Sequence, residues 1–213
     1  MRVRKVVTRS GRHHRGKFPS IKLGRMVQWE SFLERDAILH FEYHPLVVSY
    51  QEQPSIETFY DKSGELRTYF PDFRVDFDDG RELFVEVKPA EKLKDPQLRD
   101  RLDRIAARFK EQGRLFKVMT DVDIRREPLL GNLKRLHEVT RLGHDDIDQR
   151  LIAMPRGRTW TLGSFIRAMT DEARAFAMLG LGYIRADLEA ELCDDTEVCL
   201  EGTEGGPDGA FRI

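Results

Sequence analysis

An aspartate, a glutamate and a lysine lie close together in a segment that otherwise has the pattern of two strands. The segment YFPDFRVDFDDGRELFVEVKP, residues 69–89, contains Asp72, Glu86 and Lys88. Because Glu86 and Lys88 are two residues apart, a strand places both side chains on one face. Pro71 cannot donate a ladder hydrogen bond and favours an edge or a bulge, which would turn Asp72 toward that face.

Two carboxylates and an ammonium at one place suit the hydrolysis of a phosphodiester. Asp72 and Glu86 can share a divalent cation through oxygen ligands, and such a cation neutralises the charge of the transition state while it activates water. Lys88 adds a fixed positive charge and a proton. A third acid is expected from the preceding helix, where Glu30 and Glu34 are spaced i, i+4. Glu34 lies deeper in the apolar pattern and is preferred.

The competing explanation of an ExK sequence is a solvated ion pair on an open sheet face. The wider context favours a nuclease site, because four features occur in order. A PD pair on one strand is followed by a turn, by an apolar strand ending in EVK, and by an amphipathic helix.

The surrounding pattern predicts an α/β domain, a mixed sheet flanked by helices. A helix is expected from about Met26 to Pro45, with an apolar face that includes Trp29 and Phe41. The expected strands are VVSYQEQ, SIETFY, the single long strand RTYFPDFRVDF, ELFVEVK and LFKVMTD. Residues 95–112 are predicted to form an amphipathic helix that covers the sheet, with Gly113 as its C-cap.

The rest of the chain is predicted to form a smaller winged-helix-like domain. A helix broken near Pro128 and Gly131 leads into it. Further helices are expected in DDIDQRLIAM, TLGSFIRAM and DEARAFAMLGLGYIRADL, followed by a hairpin of DLEAEL and TEVCLE. Helices followed by a hairpin are typical of a winged helix. The predicted divisions are a basic arm at 1–25, an endonuclease domain at 26–125, the winged-helix-like domain at 126–201 and an acidic, glycine-rich tail at 202–213.

Composition indicates a soluble globular protein with oppositely charged ends. The 213 residues are 40% apolar and 34% charged, and no apolar run is long enough to span a bilayer. Residues 1–29 contain nine Lys and Arg and no acid, whereas residues 187–208 contain nine Asp and Glu and no base. A basic end of this kind suits an anionic partner. Cys193 and Cys199 form no CxxC pair, so a reduced, cytosolic protein is expected.

The PD and EVK elements resemble the PD-(D/E)XK nuclease superfamily, and the wider run resembles the N-terminal endonuclease domain of TnsA. The matching elements, in chain order, are ESFLERD, YQEQP, YFPDF and EVKP. The resemblance implies a restriction-endonuclease-like core with Glu34, Asp72, Glu86 and Lys88 as the catalytic residues. It implies Mg²⁺, with Mn²⁺ as a substitute, held by Asp72, Glu86, Glu34 and the Val87 backbone carbonyl.

The same resemblance implies a role in cut-and-paste transposition. TnsA cleaves the 5′ strands at transposon ends, the recombinase TnsB cuts and joins the 3′ strands, and the ATPase TnsC regulates assembly. A TnsB-like recombinase, a TnsC-like ATPase and double-stranded DNA are therefore the expected partners. The expected location is the bacterial cytoplasm, at the nucleoid when DNA is bound, with no membrane partner.

Several side chains near these elements are candidates for DNA backbone contacts that should be salt-sensitive and indifferent to sequence. They are Arg9, Arg12, Arg15, Lys17, Gln53, Lys92 and Lys94. Two other functions remain open at this point. One is a stand-alone nuclease of phage, defence or repair type, and the other is a non-catalytic DNA-binding module on a nuclease fold.

Overall fold

The chain folds into two compact units. The computed structural model describes residues 14–141, 159–200, 210, 211 and 213. The first unit takes in Met1–Glu42, Leu46–Arg125 and Ile213, and the second Tyr43–Pro45 and Arg126–Arg212. In the described parts, no helix has the length and apolar character needed to cross a membrane. The predicted helix at 145–154 and most of the predicted acidic tail lie outside the described residues.

A four-stranded mixed sheet forms the centre of the first unit. Its strands, in spatial order, are β3 (Val47–Glu52), β6 (Phe73–Phe77), β7 (Glu82–Val87) and β8 (Leu115–Met119). Strands β3, β6 and β7 pair antiparallel, and β8 pairs parallel to β7. A parallel neighbour requires a crossover connection, which the helix between β7 and β8 supplies. The mixed α/β character expected from the sequence is confirmed.

The crossover helix covers the sheet as its sequence pattern predicts. A 3₁₀ helix (Ala90–Lys94) leads into α2 (Pro96–Glu111), and the Asp95 side chain accepts a hydrogen bond from the Gln97 N–H at the N-cap. The buried core beneath the helix consists of Phe59, Tyr69, Phe84, Leu102, Ile105 and Phe109. Gly113 follows the helix with φ of 69°, as expected for its predicted position at the C-cap.

The predicted long strand RTYFPDFRVDF is wrong, because it is two strands in two different sheets. Strand β5 (Leu66–Tyr69) pairs with β4 (Glu57–Tyr60) in a separate hairpin. The chain then turns at Phe70 and Pro71 and enters β6, which pairs with β3 and β7. Pro71 has no backbone N–H to donate a hydrogen bond to a neighbouring strand, so the strand is interrupted at this residue.

The predicted helix start near Met26 is also wrong, and the basic arm at 1–25 stays a prediction. Strands β1 (Gly16–Ser20) and β2 (Arg25–Trp29) form an antiparallel hairpin, and helix α1 begins later (Phe32–Tyr43). Val27 is buried while Met26 is 56% exposed, which is the two-residue alternation of a strand. A side chain at Gly16 would collide with the Trp29 indole, which lies directly across the hairpin.

A single buried carboxylate fixes this hairpin to α1. The Glu42 Oε1 atom accepts hydrogen bonds from the Ile21 and Lys22 N–H groups, both at 2.8 Å. The Glu42 Oε2 atom accepts from Ser20 Oγ at 2.7 Å and from the Tyr50 hydroxyl of β3. Four donors from two elements therefore depend on one side chain that is only 4% exposed.

Replacing Glu42 with alanine is expected to lower the free energy of unfolding by at least about 3 kcal/mol, because four buried donors lose their acceptor. Glu42→Gln keeps an acceptor for the loop N–H groups and should cost clearly less. Chemical denaturation of both variants tests this expectation, with Glu138→Ala on exposed surface as the control. Equal losses for alanine and glutamine would contradict it.

Helices dominate the second unit. The first unit ends with a short helix, α3 (Asp121–Ile124). The described helices of the second unit are α4 (Leu129–Thr140), α5 (Leu162–Met169) and α6 (Glu172–Gly180). Leu133 and Leu136 of α4 and Phe176 of α6 are buried, and the Arg135 guanidinium lies 3.7 Å from the centroid of the Phe176 ring. The break predicted near Gly131 is wrong, because that residue lies inside α4.

A small antiparallel sheet completes the second unit. Its strands, in spatial order, are β10 (Ile184–Ala186), β11 (Glu197–Leu200) and β9 (Trp160–Thr161). The prediction that Ile184–Ala186 would be helical and that DLEAEL would pair with TEVCLE is wrong, because Ile184–Ala186 itself pairs with β11. Gly182, with φ of 81°, separates α6 from β10. The winged-helix-like class stays a prediction.

Candidate active site

The structure brings Asp72, Glu86 and Lys88 together at the end of β7. Lys88 Nζ lies 2.6 Å from Glu86 Oε1 and 3.4 Å from Asp72 Oδ2. The same Nζ donates a hydrogen bond to the Val87 carbonyl at 3.1 Å. Three oxygens of the kind that bind a hard cation therefore converge on one positive group.

The backbone of the central strands holds this arrangement in place. The Val87 N–H donates to Asp72 Oδ2 at 2.8 Å, which fixes the carboxylate against β7. The Lys88 N–H donates to the Met119 carbonyl of β8 at 3.0 Å, so the parallel pairing extends to the catalytic candidate. Asp72 directly precedes β6 and Lys88 directly follows β7, so hydrogen bonds to β7 and β8 hold both residues at the edges of regular strands.

The combined effect of burial and neighbouring charges raises the pKa values of both Asp72 and Lys88. Burial, with the nearby Glu86 carboxylate adding to it, raises the pKa of Asp72 to about 8, although the Lys88 ammonium opposes this. Burial by itself would lower the pKa of Lys88, but attraction to Asp72 and Glu86 outweighs it and raises that pKa. An additional positive charge would relieve the repulsion between the two carboxylates.

Glu34 lies near these groups but is engaged at the start of its own helix. Its carboxylate accepts hydrogen bonds from the Glu30 N–H at 2.8 Å and from Ser31 Oγ at 3.0 Å, while Ser31 Oγ accepts from the Glu34 N–H. Ser31 thus caps the helix through the Glu34 N–H, and Glu34 in turn holds the residues just before the helix. Burial raises the pKa of Glu34, and the Lys88 ammonium acts in the opposite direction.

Gln53 lies beside the site and is in an unusual backbone conformation. Its φ is 43°, in the left-handed region, and its N–H donates to the Asp72 carbonyl at 2.9 Å. Its side-chain amide donates to Glu30 Oε1 at 3.3 Å. A non-glycine residue held at positive φ costs free energy and is often found at functional sites. Gln53 therefore connects the backbone of Asp72 to the start of α1.

Tyr69 is the site residue that the sequence did not indicate. Its hydroxyl donates a hydrogen bond of 2.6 Å to Glu86 Oε2, and the ring is buried in the core. An aromatic residue in a strand pattern is usually a core residue, and the sequence pattern around Tyr69 predicts only that role. Only the pairing of β5 in a second hairpin reveals that its hydroxyl reaches the carboxylate of β7.

Replacing Tyr69 with phenylalanine removes the hydroxyl that donates to Glu86. With Glu86 as a candidate cation ligand, we expect weaker Mn²⁺ binding and about 10-fold slower phosphodiester cleavage, since an outer partner of a metal ligand typically contributes 10–100-fold. The ring packing remains, so the unfolding free energy should change by no more than about 1.5 kcal/mol. Calorimetric titration with Mn²⁺ and a cleavage assay measure the two effects. Tyr60→Phe on the exposed face of β4 is the matched control, and equal behaviour of the two variants would contradict the assignment.

The candidate DNA contacts are spread over several elements. Arg9 and Arg12 lie outside the described residues. Arg15 and Lys17 are exposed at the β1–β2 hairpin, and Lys92 is exposed in the 3₁₀ helix. Lys94 pairs with Glu91 at 2.6 Å on the surface.

Over the described ranges, no group of three or more His, Cys, Asp or Glu side chains is arranged to hold a metal ion. The oxygens around Lys88 Nζ are two carboxylates and a main-chain carbonyl, and their chemistry fits a hard divalent cation. Asp72, Glu86 and the Val87 carbonyl are thus the donors available for a cation.

The central sheet presents an aspartate, a glutamate and a lysine near the end of β7. Residues 44–121 match the family model described as TnsA-like endonuclease N terminal. This part of the chain is therefore similar to TnsA-like endonuclease N-terminal domains, which supports a TnsA-like nuclease. The matched segment contains Asp72, Glu86 and Lys88 and begins after Glu34. None of the curated proteins matches the chain.

Proposed function

We propose that the protein is a metal-dependent DNA endonuclease, with Asp72, Glu86 and Lys88 as the residues that carry out phosphodiester cleavage. The observation that carries this proposal is the convergence of Asp72 Oδ2, Glu86 Oε1 and the Val87 carbonyl on one cationic group. The match to a TnsA-like endonuclease domain over the same residues supports it.

Mg²⁺, or Mn²⁺ in its place, is the cation that this oxygen set suits best, because both accept carboxylate and carbonyl ligands. Asp72, Glu86 and the Val87 carbonyl would hold it, with Glu34 as the further acid. When bound, the ion would stabilise negative charge on the phosphate and lower the pKa of a water molecule.

The residues of the chain have separate tasks in this proposal. Lys88 supplies a positive charge where the transition state gains negative charge, which typically accounts for about 100-fold or more in rate. The Val87 N–H and the Tyr69 hydroxyl orient the carboxylates of Asp72 and Glu86. Glu34, whose pKa burial raises, would be the further acid near the cation, and its ionised carboxylate would be a stronger proton acceptor than an exposed one.

DNA would be held along the basic surfaces near this site. Arg9, Arg12, Arg15 and Lys17 would contact phosphates from the N-terminal segment, and Lys92 and Lys94 from the 3₁₀ helix. Gln53 would place a water molecule or a phosphate beside Asp72. Such contacts orient the duplex without reading its sequence.

In the cell, we infer cleavage of the 5′ strands at transposon ends in cut-and-paste transposition. A TnsB-like recombinase would cut and join the 3′ strands, and a TnsC-like ATPase would regulate assembly. The winged-helix-like second unit would contact these proteins, and the complex would act in the bacterial cytoplasm on nucleoid DNA.

The test is a cleavage assay with Mg²⁺ and a plasmid that carries transposon ends, with and without the recombinase encoded beside this gene. End-specific 5′-strand cuts that need the recombinase support the transposition role. Cutting by this chain alone, indifferent to the ends, supports a stand-alone nuclease. Absence of cutting with Mg²⁺ and with Mn²⁺ under both conditions overturns the nuclease proposal.

A further inference from the structure

A groove of about 560 Å³ lies between the β4–β5 hairpin and the first turns of α2. Four cationic and two acidic side chains line it. They are Lys62, Arg67, Arg101, Arg104, Asp61 and Asp100. The groove is outside the cluster of Asp72, Glu86 and Lys88, and nothing in the proposed mechanism uses its side chains.

The two acidic side chains of the groove are already occupied by neighbours. Asp61 accepts hydrogen bonds from the N–H groups of Ser63 and Glu65 and from Arg67 Nε at 2.6 Å. Asp100 Oδ2 pairs with Arg104 Nε at 3.0 Å. These contacts hold the pKa values of both carboxyl groups below their usual range. The two carboxylates offset only two of the four cations, so the groove keeps an excess of positive charge.

Arg101 is the cation best placed to meet a ligand. Its side chain is exposed, and its guanidinium lies 5.8 Å from the centroid of the Phe59 ring. Within the described part of the chain it has no ion pair, in contrast to the other cations of the groove. An arginine steadied on an aromatic ring keeps its N–H fork available for a phosphate.

Strand β5 connects the groove to the active site. Arg67, which lines the groove, and Tyr69 are two residues apart in that strand, so their side chains share a face about 7 Å apart. The Tyr69 hydroxyl contacts Glu86 at 2.6 Å. The groove and the carboxylates are therefore linked through one short strand.

We propose that this groove binds the phosphodiester backbone of the DNA strand on one side of the scissile phosphate, with Arg101 as its main contact. The proposal rests on the nuclease function inferred above. A polyanion suits the groove because four cations and two carboxylates line it between two elements, and because β5 links it to Glu86.

The experiment measures binding of the full chain to a fluorescent DNA duplex by anisotropy, in EDTA so that no cleavage occurs, over a range of salt concentrations. Arg101→Gln should weaken binding about 5- to 20-fold at low salt and reduce the slope of log K against log salt by about 1, as for one lost phosphate contact. Arg99→Gln, on the same helix but outside the groove, is the control and should bind as the wild type does.

Cleavage of the same duplex with Mg²⁺ separates this proposal from the nuclease function. Equal affinities and salt slopes for the two variants overturn the groove, even where Asp72-dependent cleavage upholds the nuclease. Arg101-dependent binding without any cleavage upholds the groove as a DNA site and overturns the nuclease. Loss of affinity in Arg101→Gln, together with a slower cut at subsaturating DNA, supports both.

Discussion

Replacing Asp72 with asparagine is expected to lower the rate of DNA cleavage by about 100-fold or more, because a preorganised charged group is lost from the site. The change keeps the shape of the side chain, and the amide oxygen can still accept from the Val87 N–H. A single-turnover cleavage assay with Mg²⁺ measures the effect. Asp103→Asn, on the exposed face of α2, is the control and should cleave at the wild-type rate.

The same variant should not be destabilised, which separates a catalytic carboxylate from a structural one. Burial and the Glu86 carboxylate raise the folded-state pKa of Asp72 to about 8. The folded state therefore binds the proton more tightly than the unfolded state, and this contribution to stability is lost as pH rises from about 4 to about 8. In EDTA at pH 8, Asp72→Asn should be at least as stable as the wild type by chemical denaturation. A marked loss of stability would show that Asp72 holds the fold.

Replacing Lys88 with methionine is expected to abolish measurable cutting, a loss of about 100-fold or more, while metal binding is retained or strengthened. The ammonium lies among the oxygens that would bind the cation, 2.6 Å from Glu86 Oε1 and 3.1 Å from the Val87 carbonyl. Under the proposed function, the cation would therefore compete with the ammonium for these oxygens. Titration calorimetry with Mn²⁺ and a cleavage assay give the two measurements.

Lys110→Met, on the exposed last turn of α2, provides the control for the lost charge and should match the wild type in both assays. A Lys88→Met variant that binds Mn²⁺ more than tenfold more weakly would contradict the competition. One that cuts at the wild-type rate would remove Lys88 from the site.

Much of the site could be predicted because its geometry is local. Glu86 lies on β7 and Lys88 directly follows it, while Asp72 directly precedes β6, which a tight turn joins to β7. Strand alternation and one hairpin therefore suffice to bring the three together. The amphipathic helix α2 could also be predicted from its apolar spacing. The role of Glu34 could not, because its carboxylate is hydrogen-bonded to Glu30 and Ser31 at the start of α1.

Other parts depend on contacts between residues distant in sequence. The apolar residues between Met26 and Phe41 fit a helical period by coincidence. The pairing of Val27 with Phe18 across a turn makes Arg25–Trp29 a strand instead. The hydroxyl of Tyr69 meets Glu86 only because β5 leaves the central sheet. Both cases show tertiary pairing overriding a plausible local pattern.

The turn at Phe70 and Pro71 joins two residues that act on the same strand. Tyr69 precedes it and holds the Glu86 side chain, and Asp72 follows it and receives the Val87 N–H. One added or deleted residue there would move Tyr69 or Asp72 by one residue relative to β7, and one of these two hydrogen bonds would be lost. The two-residue corner at Phe70 and Pro71 therefore has to keep its length.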